Sequence, residues 1–223
     1  MRVLVIDTAL GFCTAGVFEV AGRDIRPLGL RSEPMTKGHS ERLGGLARDA
    51  VADAGGFAGL DRIGVTVGPG SFTGLRVGLA FAQGLGAALN LPVVGVSTLD
   101  ALAAGEGGKT VAALIDARRG QVYARLWRDG APLGPPGALS LDAAAEAVRG
   151  LGQGVILVGS GAALVADDSA RVVEAEGPDP AAIARLAAAA DPAAAPPRPL
   201  YLRAPDATSP TRLPGQARAP KLA

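Results

Sequence analysis

The stretch LVIDTALGFCTAGVF at residues 4–18 decides the fold, because ALIDARRGQVYARLW at residues 113–127 repeats its pattern. Four residues of the first stretch recur in the second at one constant offset, so that Ile6, Asp7, Gly11 and Ala15 fall on Ile115, Asp116, Gly120 and Ala124. Each stretch is an apolar run that turns at a glycine into a second apolar run, which is typical of a β-hairpin. Internal duplication explains the match, and chance similarity of two hairpins is the alternative.

Helical and strand patterns alternate after each hairpin. After a loop containing Pro34, the spacing predicts helices over residues 39–54 and 72–90 and strands over residues 62–67 and 92–96. The second half predicts a helix over residues 141–149, a strand over residues 155–158 and a last helix with Asp179 as N-cap and Pro180 as its first residue. Each half therefore has the order hairpin, helix, strand, helix.

Strands that alternate with helices predict an α/β fold in which helices cover a sheet. Two copies in one chain predict paired lobes with a cleft between them, the architecture of the actin, sugar kinase and heat-shock chaperone ATPase superfamily (ASKHA). The predicted boundaries are 1–105 for the first lobe and 106–203 for the second. Residues 204–223 have repeated prolines and no periodicity, which predicts a disordered tail with three cations against one carboxylate.

Composition excludes several function classes. The 223 residues carry 22 basic and 21 acidic side chains, so no large net charge attracts the chain to nucleic acid or anionic lipid. One histidine and one cysteine leave no disulfide and too few ligands for a zinc site, and Cys13 is interpreted as a small buried hydrophobe. With no signal segment or long apolar run expected, a cytoplasmic protein without a membrane or metal site is predicted.

The string Gly68-Pro69-Gly70-Ser71-Phe72-Thr73-Gly74 lies where a strand meets a helix. Its backbone N–H groups would face an anion at the helix N-terminus, or the string is only a tight connection that packs the helix against the sheet. The glycines match neither a Walker A loop nor a dinucleotide fingerprint, and no lysine follows them. The candidate cofactor-binding residues are Asp7, Gly68, Gly70 and Ser71.

The helix predicted over residues 72–90 is apolar on nearly every side, and a stripe of small residues recurs at Gly74, Gly78 and Ala82. One sheet face cannot bury all of its apolar side chains, which favours a partner helix on the stripe. The helix over residues 39–54 would be its neighbour. The predicted partner-interface residues are His39, Leu43, Leu46, Ala50, Phe72, Leu75, Gly78, Leu79 and Ala82.

No residue is predicted to be catalytic. His39 has no second histidine to pair with and is interpreted as a structural or interface residue. Ser71 lacks the flanking glycines of a nucleophile elbow. Asp7 and Asp116 occupy matching turns in which two-lobed ATPases hold the metal of a nucleotide, but Arg118 and Arg119 place large side chains where a phosphate would approach. The alternative is that both aspartates only cap their turns.

Several strings together resemble one family: residues 4–8 (LVIDT), 38–43 (GHSERL), 68–78 (GPGSFTGLRVG), 116–118 (DAR) and 201–203 (YLR) are similar to those of the TsaB family, also called YeaZ. The resemblance covers about residues 1–203, and the glycine-rich string is its most specific part. It implies an actin-like fold and a role in the bacterial synthesis of N6-threonylcarbamoyladenosine at position 37 of tRNAs that read codons starting with A.

The resemblance also implies partners. A TsaC-type enzyme makes threonylcarbamoyl-adenylate, and a TsaD-type transferase moves the threonylcarbamoyl group to tRNA with help from TsaB and a TsaE-type ATPase. TsaB-like chains are non-catalytic, pair with TsaD or with themselves, and meet tRNA through the complex. The subunit needs no cofactor of its own, while ATP or ADP can lie at the complex interface. TsaD-like chains place metal-binding histidines after a strand that here, at residues 92–96, is followed by residues 97–102 (STLDAL).

Two enzymes are rivals to this accessory role. The first is an active hydrolase of the glycoprotease type, against which the shortage of metal ligands argues. The second is a kinase or ATPase of the actin-like superfamily, which would need phosphate loops and a catalytic acid that residues 116–120 do not supply convincingly.

Overall fold

The computed structural model describes residues 1–106 and 109–203, so the predicted tail at residues 204–223 lies outside the described residues. The first half of the chain builds a mixed five-stranded sheet in the order β3-β2-β1-β4-β5, with β1 parallel to β4 and antiparallel to β2. Its strands are β1 (Arg2–Asp7), β2 (Phe12–Ala21), β3 (Asp24–Pro34), β4 (Arg62–Gly68) and β5 (Val93–Ser97). Its helices are α1 (His39–Asp53), α2 (Phe72–Leu89) and α3 (Thr98–Ala104).

The second half builds another mixed sheet, in the order β11-β10-β6-β7-β8, with β9 paired to β7. Its strands are β6 (Val111–Arg118), β7 (Gln121–Arg128), β8 (Ala131–Pro132), β9 (Gly137–Ser140), β10 (Ile156–Val158) and β11 (Arg171–Val173). Its helices are α4 (Leu141–Arg149), a 3-10 turn (Ala162–Leu164) and α5 (Pro180–Ala189). As predicted, the side chain of Asp179 caps α5, accepting a hydrogen bond from the amide of Ala181 at 2.9 Å.

Each sheet is covered on one face by a helix from the opposite half of the chain. On the first sheet, α1 and α2 cover one face, and the other face packs on Ile183, Ala184 and Ala187 of α5, the last helix of the chain. The second sheet packs α4 on one face, and on the other Leu99 and Leu102 of α3, a helix of the first half. Helices α3 and α5 therefore share the layer between the sheets, and each sheet depends on an element from the opposite half.

The two hairpins match in sequence but differ by one residue in register. Ile6 pairs with Ala15, whereas Ala124 pairs with Leu114 rather than with Ile115. The second hairpin has one residue fewer between its last regular pairs, and it closes through Arg119 and Gly120, which both have positive φ. Because a shift of one residue turns a side chain to the other face of a strand, Ile6 faces the layer of α1 and α2 while Ile115 faces α3.

Strand β3 was predicted as a loop. Its sequence, DIRPLGLRSEP, contains two prolines and a glycine, which are typical of loops and also of edge strands. It forms the free edge of the first sheet, where a missing amide costs no ladder hydrogen bond, and most of its side chains are at least partly exposed. The helix α3 and the short strands β8, β9 and β11 were also missed, because segments of two to seven residues carry too little periodicity.

A proline-rich segment after α5 returns to the first sheet and lies along its other edge. The amide of Gly95 in β5 donates to the Ala195 carbonyl at 2.9 Å, and the amide of Leu200 donates to the Val67 carbonyl at 2.7 Å. On the helical side, Gln83 Nε2 donates to the Pro197 carbonyl at 2.7 Å. Residues 191–201, here called the C-terminal strap, are thus tied to β4, β5 and α2.

The stripe of small residues on α2 packs on this chain's own strand β1 and its following turn. A Cβ atom at Gly74 would overlap the Thr8 carbonyl oxygen, and one at Gly78 would overlap Thr8 Oγ1. Thr8 Oγ1 in turn donates a hydrogen bond to the Gly74 carbonyl at 2.7 Å. The prediction that a partner helix lies on the stripe is therefore wrong, because β1 and the adjoining turn occupy that place.

The same packing corrects the predicted partner-interface residues. Eight of the nine are buried in the monomer and unavailable to a partner: His39, Leu43, Leu46, Ala50, Leu75, Gly78, Leu79 and Ala82. Phe72 is 50% exposed. Among the described residues, α2 is also the one helix long and apolar enough to span a membrane by length and composition, although here it is a layer of the α/β fold.

Substituting Gly78 should unfold the monomer rather than only block assembly. Gly78→Leu has no room beside Thr8, so we expect the free energy of unfolding to fall by at least about 2 kcal/mol. Gly84 on the same helix has no atom within 4 Å of a Cβ, so Gly84→Leu should leave stability unchanged or raise it by up to about 1 kcal/mol. Urea denaturation followed by circular dichroism measures both; a Gly78→Leu chain as stable as the parent would contradict the packing described here.

The thiol of Cys13 should report unfolding. The side chain is fully buried in the first sheet, and burial, with the nearby Glu33 carboxylate as a smaller cause, raises the pKa of Cys13 to about 11. The thiolate is the reactive form, so we expect no labelling by Ellman's reagent in native buffer and one thiol per chain in denaturant. Rapid labelling of the native protein would show that β2 opens far more often than its burial implies.

Candidate functional site

A cleft of about 780 Å³ lies between the two sheets, where the turns of the two hairpins approach each other. Both halves of the chain line it, together with Gly70 and Ser71 just before α2 and Arg203 just after the strap. The polar and glycine residues of its wall are Gly11, Thr36, Gly70, Ser71, Asp116, Arg118, Tyr123, Ser160, Glu176 and Arg203. Two of the four residues predicted to bind a cofactor, Gly70 and Ser71, line this cleft.

Asp7 does not face the cleft. Its Oδ1 accepts hydrogen bonds from Thr66 Oγ1 at 2.6 Å and from the Ala9 amide at 3.0 Å, and the side chain is buried. Burial raises the pKa of Asp7 above its ordinary value, although both hydrogen bonds and the nearby His39 act to lower it. The carboxyl group therefore ties β1 to β4 and to the following turn, which is the capping role given as the alternative for this residue.

The glycine-rich string is shaped by close packing. Gly68 has a φ of 106°, and a Cβ there would collide with Leu75; a Cβ at Gly70 would overlap the Ala9 carbonyl. Ser71 caps α2 by accepting a hydrogen bond from the Gly74 amide at 3.2 Å, and its own amide donates to the Ala9 carbonyl at 2.7 Å. Gly70 and Ser71 line the cleft, whereas Asp7 and Gly68 do not, so a cofactor role for the string stays a prediction.

The opposite wall of the cleft presents an arginine instead of a small residue. Asp116 accepts a hydrogen bond from the amide of Arg118 at 2.8 Å, and its carboxylate pairs with Arg118 Nη1 at 3.0 Å. The amide of Asp116 donates to Ser160 Oγ at 3.2 Å, and Arg203 Nη1 donates to the Ala117 carbonyl at 2.9 Å. The Arg118 side chain is 85% exposed, and the charges of Arg118 and Arg203 in the cleft wall are matched by those of Asp116 and Glu176.

Asp7 and Asp116 are thus equivalent in sequence and different in structure. Ile6 pairs with Ala15 in the first hairpin, and Leu114 pairs with Ala124 in the second. When the two hairpins are superimposed on these pairs, Asp116 takes the place of Thr8. Asp116 lines the cleft, while Asp7 is held inside the first sheet. Of the two residues, only Asp116 therefore faces the cleft in which a two-lobed ATPase holds its nucleotide.

His39 begins α1 and is buried, and its Nε2 has no hydrogen-bond partner in the structure as described. His39 lies close enough to Asp7 to lower the pKa of the Asp7 carboxyl group. Within residues 1–106 and 109–203, no group of three or more histidine, cysteine or acidic side chains could hold a metal ion. Because His39 is buried at the start of α1, its position is that of a structural residue.

A cluster of exposed side chains lies beside the cleft, and sequence reasoning did not identify it as a unit. Arg76 Cζ stacks over the Phe72 ring at 3.8 Å from its centroid, and the Tyr201 ring lies 5.3 Å from Phe72 at an interplanar angle of 35°. Arg76 Nε donates to Tyr201 Oη at 3.4 Å. The spacing of Phe72 and Arg76 by four residues places them on one helix face, but only the strap brings Tyr201 to them.

The outer surface of α2 is largely uncharged, whereas the exposed side of α1 carries Glu41, Arg42, Arg48 and Asp53. Arg76 is the one charged residue in the 18 residues of α2, and the exposed positions after it are Ala80, Gln83, Gly84, Ala87 and Ala88. Between the two helices, Val77, Phe81 and Leu85 are half-buried, and Phe81 lies 4.0 Å from a Cβ built on Gly44. We call this surface the helical docking face and define it by Gly44, Gly45, Val77, Ala80, Phe81, Gly84 and Leu85.

Known proteins resemble the chain over most of its length. An uncharacterized protein of Mycobacterium tuberculosis is 41% identical over 210 residues, covering 92% of this chain and 93% of that protein. The tRNA threonylcarbamoyladenosine biosynthesis protein TsaB of Escherichia coli is 35% identical over 128 residues, covering 55% of this chain and 53% of that protein.

Family and structural matches agree with these relatives. The family model for the tRNA N6-adenosine threonylcarbamoyltransferase TsaD matches residues 28–130. The solved structure of YeaZ from Pseudomonas aeruginosa superimposes with a TM-score of 0.71 at 25% identity, covering 90% of this chain and 99% of that one. The actin-like α/β fold predicted from the duplicated hairpins is confirmed. The chain belongs to the TsaB (YeaZ) family, as its sequence strings indicate.

Proposed function

We propose that this chain is the non-catalytic subunit that binds and supports a TsaD-type transferase in the synthesis of N6-threonylcarbamoyladenosine at position 37 of bacterial tRNAs that read codons starting with A. The proposal is carried by the helical docking face, an uncharged surface formed by α2 after Arg76 and by the groove between α2 and the glycines of α1. The name of the Escherichia coli relative gives the pathway. The match of residues 28–130 to the TsaD model supports a transferase partner of similar fold.

The docking face has the features of a helix-packing surface. A Cβ atom on Gly45 or on Gly84 would meet no atom within 4 Å, so the backbone of another helix can approach closely. Val77, Phe81 and Leu85 form the floor of the groove, and they would be buried fully by a partner. An isolated protein leaves these side chains partly in water, whereas burying them stabilises a complex by about 25 cal/mol for each Å² of apolar surface.

The interior of the chain supports a non-catalytic role. Asp7 is occupied by Thr66 and Ala9, and Ser71 Oγ serves as the cap of α2, so neither has the free, activated geometry of a catalytic group. Arg118 pairs with Asp116 at the cleft mouth, where a kinase would need an unpaired acid. The hydrolase and the kinase therefore remain the less supported alternatives, and catalysis is assigned to the partner.

The proposed function includes further partners. In the absence of the transferase, a second copy of this chain would cover the docking face as a homodimer, because the exposed small residues fit either helix. A TsaE-type ATPase joins the assembled complex in the cytoplasm, and tRNA is held through that complex. ATP or ADP would lie in the cleft next to Gly70 and Ser71 only where the partner completes the site.

Assembly should depend on Gly84. Gly84→Arg places a long charged side chain on the docking face without touching the monomer core, so we expect binding to the TsaD-type partner to weaken by more than about tenfold, the equivalent of roughly 1.4 kcal/mol. Copurification of tagged partner and calorimetry of the purified pair measure the loss.

Ala143→Arg is the matched control, because Ala143 is an exposed helical alanine on α4, on the far side of the second sheet. It should bind the partner like the parent chain. Equal binding by Gly84→Arg and the parent would remove the docking face from the proposed function, and failure of the parent chain itself to copurify with the partner would overturn that function.

The isolated chain should not turn over ATP. Asp7 is held by an internal hydrogen bond and Asp116 by an ion pair with Arg118. We therefore expect ATP hydrolysis and threonylcarbamoyl transfer only when the partner proteins are present. Phosphate release and tRNA nucleoside mass spectrometry follow the two reactions. Steady turnover by the purified chain alone, abolished by Asp116→Asn, would favour the kinase alternative.

A further inference from the structure

A second cavity, of about 270 Å³, lies at the other end of the second sheet from the cleft. Strand β6 lines the cavity with Val111 and the cleft with residues 115–118, and β7 contributes Trp127 to the cavity and Tyr123 to the cleft. Because a strand rises about 3.3 Å per residue, Val111 and Asp116 are about 16 Å apart. Among the described residues, the cavity shares none of its lining with the cleft or with the docking face.

Apolar side chains form the body of the cavity. Trp127 pairs across the sheet with Val111 on one side and with Pro132 on the other, so the three side chains lie on the same face. Ala103 of α3 and Leu186 of α5 line the cavity from the layer between the sheets. Sites for drug-sized ligands measure roughly 300 to 1,000 Å³, so this cavity has room for a smaller molecule.

Three hydrogen-bond donors of the lining have no partner. Arg125 Nη1 donates to both carboxylate oxygens of Asp100, at 2.6 and 2.8 Å, so the one carboxylate of the described lining is already neutralised. Within residues 1–106 and 109–203, Arg125 Nη2 makes no hydrogen bond, and Lys109 Nζ makes neither a hydrogen bond nor an ion pair. Trp127 is only 9% exposed, yet its Nε1 donates to no described residue.

The described lining therefore carries one unbalanced positive charge, that of Lys109. Glu106 and Asp129, the carboxylates nearest to the cavity in sequence, lie outside its lining, and neither forms an ion pair with Lys109 in the described part of the chain. Arg185 adds a cation beside the cavity, where its Nη1 donates to the Ala104 carbonyl at 3.3 Å. A ligand group with one negative charge matches this surplus and these donors.

We propose that this cavity binds a small monocarboxylate with an apolar body, that is, an aromatic or branched-chain acid. The carboxylate accepts hydrogen bonds from Lys109 and Arg125 Nη2, and the apolar body lies against Trp127 and Val111. An inorganic anion would leave the apolar wall without a contact, and a neutral apolar molecule would leave the donors unused. The site goes beyond the proposed function and does not depend on it, since the docking face contributes no residue to the cavity.

The chain carries its own reporter, because Trp127 is the only tryptophan of its 223 residues. Benzoate titrated into the isolated full-length chain should change the tryptophan fluorescence to a saturating value. We expect a Kd on the order of 1 mM, since so small a ligand makes few contacts, and calorimetry should give the same Kd. N-acetyltryptophanamide, the control for quenching by collision, should show no saturation.

Two analogues separate the two halves of the ligand. Benzyl alcohol has a similar apolar body without the charge, and inorganic phosphate has the charge without the apolar body. Each should bind at least about tenfold more weakly than benzoate, because each forms one kind of contact only.

Variants of the lining test the location of the site. Lys109→Met removes the unbalanced charge at an exposed position and should weaken benzoate binding about tenfold, whereas Lys109→Arg should retain most of the affinity. Ala104→Leu fills part of the cavity and should abolish binding, with circular dichroism to establish that this variant folds. Lys37→Met is the matched control, because Lys37 is an exposed lysine in the loop before α1, and it should bind benzoate like the parent chain.

Several results would overturn the proposal. The absence of saturable binding would remove the site, and equal affinity for benzyl alcohol or for phosphate would remove the monocarboxylate as its ligand. Unchanged benzoate affinity in Lys109→Met and in folded Ala104→Leu would place the ligand elsewhere.

Copurification with the TsaD-type partner separates this inference from the proposed function. A parent chain that binds benzoate but fails to copurify contradicts the proposed function alone. A parent chain that copurifies but does not bind benzoate contradicts the monocarboxylate site alone.

Discussion

The close approach of α2 to the turn after β1 is the constraint on which the rest of the structure depends. Thr8 donates its hydroxyl hydrogen bond to the carbonyl of Gly74, and its own carbonyl occupies the space that a Cβ at Gly74 would need. Because α2 is held so near the sheet, Gly70 and Ser71 form a wall of the cleft, and the opposite side of α2 becomes an exposed surface. The cleft wall and the docking face both depend on this one contact.

The chain contains two hairpins of matching sequence. A shift of one residue in strand pairing gives their aspartates different surroundings. In the first hairpin the aspartate turns inward and joins two strands, whereas in the second it turns to the cleft and pairs with an arginine. A symmetric nucleotide clamp would need both carboxylates in the same place. Asp7 therefore serves the packing of the first sheet, whereas Asp116 forms part of the cleft wall.

Long periodic elements could be predicted from the sequence, and contacts between elements could not. The helix over residues 141–149 was predicted at its observed bounds, since its apolar period and serine cap are local signals. The interface prediction treated the apolar surface of α2 as available to a partner. Periodicity identifies an apolar helix face, but it does not identify the element that covers that face. The partners of Gly78 and Tyr201 are Thr8 and Phe72, both distant in sequence. Such contacts depend on how distant segments of the chain fold back against each other, which a local sequence pattern does not encode.

The exchange of α3 and α5 has a consequence for how the protein is made. On the ribosome, the first sheet can pair all its strands once residue 97 has emerged, but one of its faces lacks a cover until residues 180–189 have been synthesised. During that interval, Val3, Val5 and Phe18 are exposed to solvent as an apolar surface. Nascent chains of this protein would therefore be clients for a ribosome-associated chaperone, and a premature stop codon before α5 would release an aggregation-prone fragment rather than a working half.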